Sequence, residues 1–317
     1  MSKKVAITGM GIISAIGLNV EENYHSLLHQ KHGLSRLQNF ESIHNDSIFV
    51  GEIKQTNDEL ATFLKLSSDH NFSRTAMLGL IAVKEALKNA QINKVNEFRT
   101  GLISSTSVGG MDITENYFLD YEDLPDKQKY ILSHDAGASS QQIAEQIGLK
   151  GFVSTISTAC SSAANAIMLG ARLIKSGKLD RVIVGGTDAL SKFTINGFKS
   201  LMILSDEYNQ PFDENRKGLN LGEAAAYLVL ESDEIVQKEN KKVLGYLAGY
   251  GNANDAFHQT ASSDNGEGAY LAMKKAFEVD DIKFSQIDYI NVHGTATQNN
   301  DLTEGKALKR IYDNALP

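Results

Sequence analysis

Two periods alternate along the chain. Val5, Ala6 and Ile7 form a short apolar run after Lys4, which predicts a first strand over residues 4–8, followed by a glycine turn at Gly9-Met10-Gly11. Ala76, Leu80, Val83 and Leu87 recur at helical spacing and predict a helix within residues 72–90. Residues 101–105 read as a short apolar strand entering the small-residue corner Thr106-Ser107-Val108-Gly109-Gly110. A β-branched run at 153–156 gives way, just past Cys160, to a helix whose buried side carries Ala164, Ile167, Met168, Ala171 and Ile174 and which ends near Gly177. Residues 181–184 predict a strand closed by Gly185-Gly186-Thr187, and 224–231 a further strand. Alternating strands and helices point to an α/β layered fold. No low-complexity linker interrupts the pattern, and 3 prolines leave few hard breaks.

The pattern echoes itself. Residues 3–11 (strand, then glycines) resemble 243–251, the helix at 74–90 resembles 268–277, and 98–107 (strand into a Ser/Thr/Gly corner) resembles 287–297. The chain therefore reads as a duplicated α/β unit, with a first half over 1–240 and a second over 241–317. The first unit continues through Cys160, its helix and two more strands. Nothing after Pro317 matches that continuation, so the second half is expected to be incomplete.

Composition narrows the function classes. With 42% hydrophobic and 22% charged residues, this is the make-up of an ordinary soluble protein. A net charge of −8 argues against broad nucleic-acid binding, but leaves room for an acidic protein partner at a local basic patch. The N-terminus has no apolar leader segment and no stretch is long enough to span a membrane, so the expected location is the cytoplasm. The single cysteine excludes an internal disulfide, and no cysteine cluster suggests a zinc site.

That one cysteine carries the most chemistry. Cys160 sits where a strand ends and a helix begins, and free N–H groups at a helix N-terminus favour thiolate over thiol. A lone cysteine is as readily a buried structural residue, so its context has to decide. Four separated stretches supply the context: Thr158-Ala159-Cys160-Ser161-Ser162; Pro211-Phe212-Asp213-Glu214-Asn215-Arg216-Lys217-Gly218 with Gly222-Glu223-Ala224-Ala225; Asp255-Ala256-Phe257-His258-Gln259-Thr260; and Val292-His293-Gly294-Thr295-Ala296-Thr297 with Asn300-Asp301 and Glu304. In this order they resemble the β-ketoacyl-acyl-carrier-protein synthases, condensing enzymes of fatty acid and polyketide synthesis with the thiolase fold.

The resemblance runs from Lys4 to the C-terminus and implies duplicated halves in an αβαβα arrangement. It implies that Cys160 accepts the acyl chain as a thioester and that His293 is the first of two active-site histidines. A histidine at a strand end would otherwise be a satisfied structural residue; the flanking Gly-Thr-Ala-Thr reverses that weighting. Thr260, Thr295 and Thr297 match hydroxyl residues lining the phosphopantetheine tunnel, and Glu304 matches an acidic residue that pairs with a lysine beside the site. Val108 and Phe198 match positions at the acyl pocket, or else are plain core. Residues 152–157 match the strand that pairs across a two-fold axis, so a homodimer is expected. The implied partner is an acyl carrier protein, and no metal or redox cofactor is implied. The Gly9-Met10-Gly11 run hints at dinucleotide binding, but Ser14 stands where that fingerprint needs glycine.

Three family elements have no match: the lysine partner of Glu304, the Gly-His-Thr segment with the second histidine, and a late Gly-Phe-Gly loop. The expectation is a longer enzyme cut short, with condensation impaired. Met202 stands where the family often has an arginine, and Asp206 and Glu207 follow, so ordinary carrier docking is in question. Three other readings remain: a noncatalytic chain-length factor, an inert fragment, and a degradative thiolase. Cys160 speaks against the first, and the 211–218 and 300–304 stretches against the last.

Overall fold

The computed structural model describes residues 4–258, 261–313 and 315–317. The chain runs β1 (Val5–Ser14), α1 (Val20–Leu28), β2 (Leu34–Ser35), β3 (Val50–Gly51), α2 (Asn57–Leu64), α3 (Arg74–Asn89), β4 (Thr100–Ser105) and α4 (Met111–Tyr117). After a 3-10 helix at Pro125–Ser133 it continues as α5 (Ala136–Gln146), β5 (Phe152–Ile156), α6 (Ser162–Lys175), β6 (Arg181–Asp188), α7 (Lys192–Ser200) and β7 (Ala224–Ser232). It closes with α8 (Asp233–Lys238), β8 (Gly245–Tyr246), α9 (Glu267–Glu278) and α10 (Gln298–Tyr312).

Six of the strands form one sheet in the order β5-β4-β6-β7-β1-β8. β4 pairs parallel with β5 and with β6, whereas β6–β7, β7–β1 and β1–β8 are antiparallel. The parallel strands put the C-terminal ends of β4, β5 and β6 at one edge, where ligands collect in open α/β sheets. One face is covered by α3 and α5 through Met77, Leu80, Val83 and Ile143 against Ile13, Ile183 and Val229. The other is covered by α6, whose Ala166, Ala171 and Ile174 pack on Ile103, Val182 and Val184. Leu247 and Tyr250 lie against that same α6 cluster. So the chain is layered as helix, sheet, helix, extended segment and, beyond it, α9. Among the described residues no helix is long and apolar enough to cross a membrane.

Two expectations about glycines are corrected. Gly9 and Gly11 form no turn; they lie inside β1, with a register shift between Ile7 and Gly9. A Cβ on Gly9 would lie 2.5 Å from the Ala86 carbonyl oxygen, and one on Gly11 2.1 Å from that of Ala82. Glycine is needed because α3 lies directly on the strand, not because the chain reverses. The same contact recurs in the second unit, where a Cβ on Gly249 or Gly251 would lie 2.1 Å from the carbonyl of Ala276 or Ala272 on α9. Likewise Gly185 and Gly186 do not close a strand but lie within β6, paired with Tyr227 and Ala226. The stretch 287–293, expected as a strand, has no ladder pairing and is flanked only by a short 3-10 turn at Phe284–Gln286. Strand identity requires a neighbour, and none lies beside it among the described residues.

Candidate active site

Cys160 is presented by a corner knotted with hydroxyl groups. β5 ends at Ile156 and α6 opens at Ser162. Between them the Thr158 N–H donates to Ser162 Oγ at 2.8 Å, and that hydroxyl donates to the Ala159 carbonyl at 2.6 Å. Ser161 Oγ donates to the Thr158 carbonyl at 2.9 Å, and Asn165 Nδ2 to Thr158 Oγ1 at 2.8 Å. Short polar side chains of this kind divert the backbone from strand and helix ladders. Ala159 takes a left-handed conformation, φ 51°, which costs an L residue of order 1 kcal/mol and is held by those bonds. The outcome is an exposed thiol at the head of α6.

The second half brings His293 to the thiol. α10 starts at Gln298, so Asp301 and Glu304, three residues apart, share its first face. The Glu304 carboxylate accepts the N–H of His293 at 2.8 Å and of Gly294 at 3.0 Å. Buried Asp301 accepts the Ala296 N–H at 3.1 Å and the Phe212 N–H at 2.7 Å. The 211–218 loop is also sewn to this corner by Gly218 N–H to the Ala296 carbonyl, 3.1 Å, and by Arg216 Nη2 to the Gln298 carbonyl, 3.0 Å. Thus the 211–218 and 292–304 stretches are bound into one corner, and His293 brings that corner to Cys160.

The thiol and the imidazole lie close enough that each shifts the other's titration. The neighbouring His293 is the largest influence on Cys160 and pulls its pKa below the ordinary thiol value, against partial burial and the charge of Asp188. The nearby Cys160 likewise raises His293, aided by the charges of Glu304 and Asp301 and opposed by burial. The pair is biased toward thiolate and imidazolium, the reactive form of a cysteine nucleophile.

The remaining predicted residues fall as follows. Thr295 and Thr297 flank the His293 corner with hydroxyls 2.9 Å apart, both half-buried. Glu304 is found holding the His293 backbone, rather than simply awaiting a lysine. Val108 precedes α4 and Phe198 lies on α7; both are half-buried, and α4 meets α7 where the Glu115 carboxylate accepts the N–H groups of Lys192 and Phe193 at 2.8 and 2.9 Å. Thr260 lies outside the described residues. Asp188, Asn165 and Asp301 were not singled out by the sequence as site residues. Asp188 accepts Thr106 Oγ1 at 2.7 Å and the Ser107 N–H at 2.9 Å, tying β6 to the exit of β4. Asn165 accepts Asn252 Nδ2 at 2.6 Å, joining the two units beside Cys160. Only Asp301 lies within one of the four motif stretches, beside Asn300. Among the described residues no group of three or more His, Cys, Asp or Glu is placed to hold a metal ion.

Comparison with known proteins identifies the family. Residues 2–235 match the family model for the β-ketoacyl synthase N-terminal domain, and 244–316 that for the C-terminal domain. A 3-oxoacyl-[acyl-carrier-protein] synthase 2 of Staphylococcus aureus is 30% identical over 99% of this chain and 78% of its own length. A putative mitochondrial 3-oxoacyl-[acyl-carrier-protein] synthase of Schizosaccharomyces pombe is 30% identical over 98% of this chain and 77% of its own. Among solved structures, the ishigamide ketosynthase/chain length factor superposes with a TM-score of 0.91 at 27% identity, over 100% of this chain and 79% of that one. With its thiol–imidazole pair on a thiolase-like scaffold and both family domains matched in order, the chain belongs to the β-ketoacyl synthase family.

Proposed function

We propose that Cys160 is the acyl-accepting nucleophile of a condensing enzyme that works on carrier-bound thioesters. The observation that carries this reading is the Cys160–His293 pair at the head of α6. In the charging step the Cys160 thiolate attacks the thioester carbonyl of an acyl-phosphopantetheine. The carbon–sulfur bond to pantetheine breaks, and the departing thiolate takes the proton held by the His293 imidazolium. The Cys160 N–H, just before the head of α6, stabilises the tetrahedral oxyanion in this reading. Condensation follows when a malonyl thioester loses carbon dioxide. Its enolate attacks the acyl-Cys160 carbonyl, releasing the Cys160 thiolate and a β-ketoacyl thioester. His293 then serves as an N–H donor to the enolate oxygen.

Thr295, Thr297 and Thr260 are assigned to the pantetheine arm, Val108 and Phe198 to the acyl pocket, and Glu304 to holding His293. The division into halves at 1–240 and 241–317, with Cys160 from the first and His293 from the second, belongs to the same reading. So do an acyl carrier protein as donor, a homodimer paired through β5 (an edge strand of the sheet) and a cytoplasmic location. The relatives' names support the donor class. A noncatalytic chain-length factor would have no use for a thiol paired with an imidazole.

The test is transfer of a radiolabelled acyl group to the protein from a carrier thioester and from the matching coenzyme A thioester. Faster transfer from the carrier supports a synthase. Faster transfer from coenzyme A would favour a thiolase, and transfer from neither would defeat the reading.

A further inference from the structure

A cleft opens at the foot of α3, where its last turns meet the end of α5. Lys84, Leu87, Lys88 and Gln91 follow at i, i+3, i+4 and i+7, so they share one face of the helix and its exit. That face forms one wall, and Gln146 and Ile147 form the other. The cleft offers about 620 Å3, inside the range of roughly 300–1,000 Å3 usual for small-molecule sites. Its floor is apolar, since Leu87, Ile92 and Ile147 lie half-buried against the main core and Val95 is buried in it. A second hollow of about 520 Å3 continues past Val95 and Ile147 to Gly148, where a Cβ would meet nothing within 4 Å. The walls are tied together by Asn96, whose Nδ2 donates to the Gly148 carbonyl at 2.7 Å and whose Oδ1 accepts the Lys150 N–H at 2.9 Å.

Charge selects the occupant. Among the described residues Lys84 and Lys88 line the first hollow and no carboxylate does, in a chain of net charge −8. Lys94 and Glu97 stand together at the far end. Neither Lys84 nor Lys88 forms an ion pair among the described residues. Nor is either taken up in capping α3, because Lys241 Nζ donates to the Ala90 carbonyl at 2.7 Å. Like charges one helical turn apart repel. Partial burial, and then the charge of Lys65, hold Lys84 below the usual lysine range. An anionic head between the two lysines relieves that repulsion, and an aliphatic chain covers the floor. A short acid would leave the floor in water, and a neutral lipid would leave the lysines unpaired.

The cleft is remote from the thiol. α3 leads into the start of β4 and α5 into the start of β5, so the cleft adjoins the N-terminal ends of these parallel strands. Cys160 follows the C-terminal end of β5, at the opposite edge of the sheet.

We infer that this cleft binds a single-chain fatty carboxylate, at a site separate from Cys160. Under the proposed function such carboxylates are hydrolysis products of the thioesters the chain handles, but the chemistry of the cleft stands without that reading.

Dodecanoate is the probe, titrated below its micelle-forming concentration by isothermal calorimetry. A photoreactive diazirine derivative of it maps the bound chain by mass spectrometry of cross-linked peptides. Dodecanoate should bind the wild-type protein at least about tenfold more tightly than acetate, which has the head without the chain, and cross-links should fall within 84–97 and 146–148. Lys84→Glu with Lys88→Glu should weaken dodecanoate by about tenfold or more, the scale of losing a hydrogen bond to a charged group. The same variant should bind dodecyltrimethylammonium more tightly than the wild type does, a gain that a misfolded chain would not show. No dodecanoate binding by the wild type, acetate binding as tightly, or unchanged affinities in the variant overturns the inference. So do cross-links confined to peptides around Cys160 and His293. Binding to phosphatidylglycerol vesicles without binding to dodecanoate would give the lysines to a membrane surface and overturn it as well.

Discussion

A thiol beside an imidazole titrates as a pair, and reactivity follows the pair rather than either group. Because His293 depresses the Cys160 pKa, the thiolate persists at pH values where an ordinary thiol, near pKa 8.5, is protonated. Alkylation of Cys160 by iodoacetamide should therefore remain fast below that range. His293→Ala should move the midpoint of the alkylation profile upward, toward the ordinary value. Glu304→Gln removes a carboxylate that both raises His293 and holds its N–H, so its midpoint should fall between the two. An unmoved profile in His293→Ala would remove the pair from the account. Cys160 was legible in the sequence because its corner is local: hydroxyls at 158, 161 and 162 fold back within four residues. Asp188 and Asn165 were not, because their partners, Ser107 and Asn252, arrive through sheet pairing and through the contact between units.

At the scale of elements, the glycines of β1 record helix packing. Gly11→Ala would press a methyl into the Ala82 carbonyl, a backbone atom that cannot give way unless α3 moves. Overpacking of this kind costs about 1–3 kcal/mol, readable as a shift of the urea midpoint without loss of Cys160 alkylation. The sequence placed a turn there because strand glycines and turn glycines look alike until the helix that needs them is in place. α4 offers a second test. Asp112, buried, accepts the Arg74 N–H at 2.7 Å and Thr75 Oγ1 at 3.2 Å, pinning α4 to the start of α3. Burial pushes its pKa up to about 7, although those two bonds and the Arg74 charge oppose the shift. The folded value lies above the unfolded one, about 3.9, so the native state holds the proton more tightly and stability drains away as pH rises between the two. Asp112→Asn should remove that decline. Thermal melts would show the variant gaining on the wild type from about pH 4 to about pH 7 and levelling off above, and a constant difference would contradict the assignment.

For the whole molecule, the internal echo is most visible in close packing. Gly9 and Gly11 on α3 repeat as Gly249 and Gly251 on α9, the same glycine spacing against alanine carbonyls four residues apart. That spacing is written in the sequence, which is why the duplication could be read there, whereas the thiolase-like class came from the family resemblance of the four motif stretches. The 287–293 stretch could not be read as it stands: its apolar residues resemble a strand, but pairing depends on a neighbour the local sequence does not specify. In the proposed site the thiol comes from one unit and the imidazole from the other, so the docking of the two is what would activate the thiol. Intact-mass measurement after incubation with an acyl-acyl-carrier-protein thioester tests this most directly. The account predicts a gain of one acyl group in the wild-type chain and none in Cys160→Ala; no gain in the wild type, or an equal gain in the variant, would contradict it.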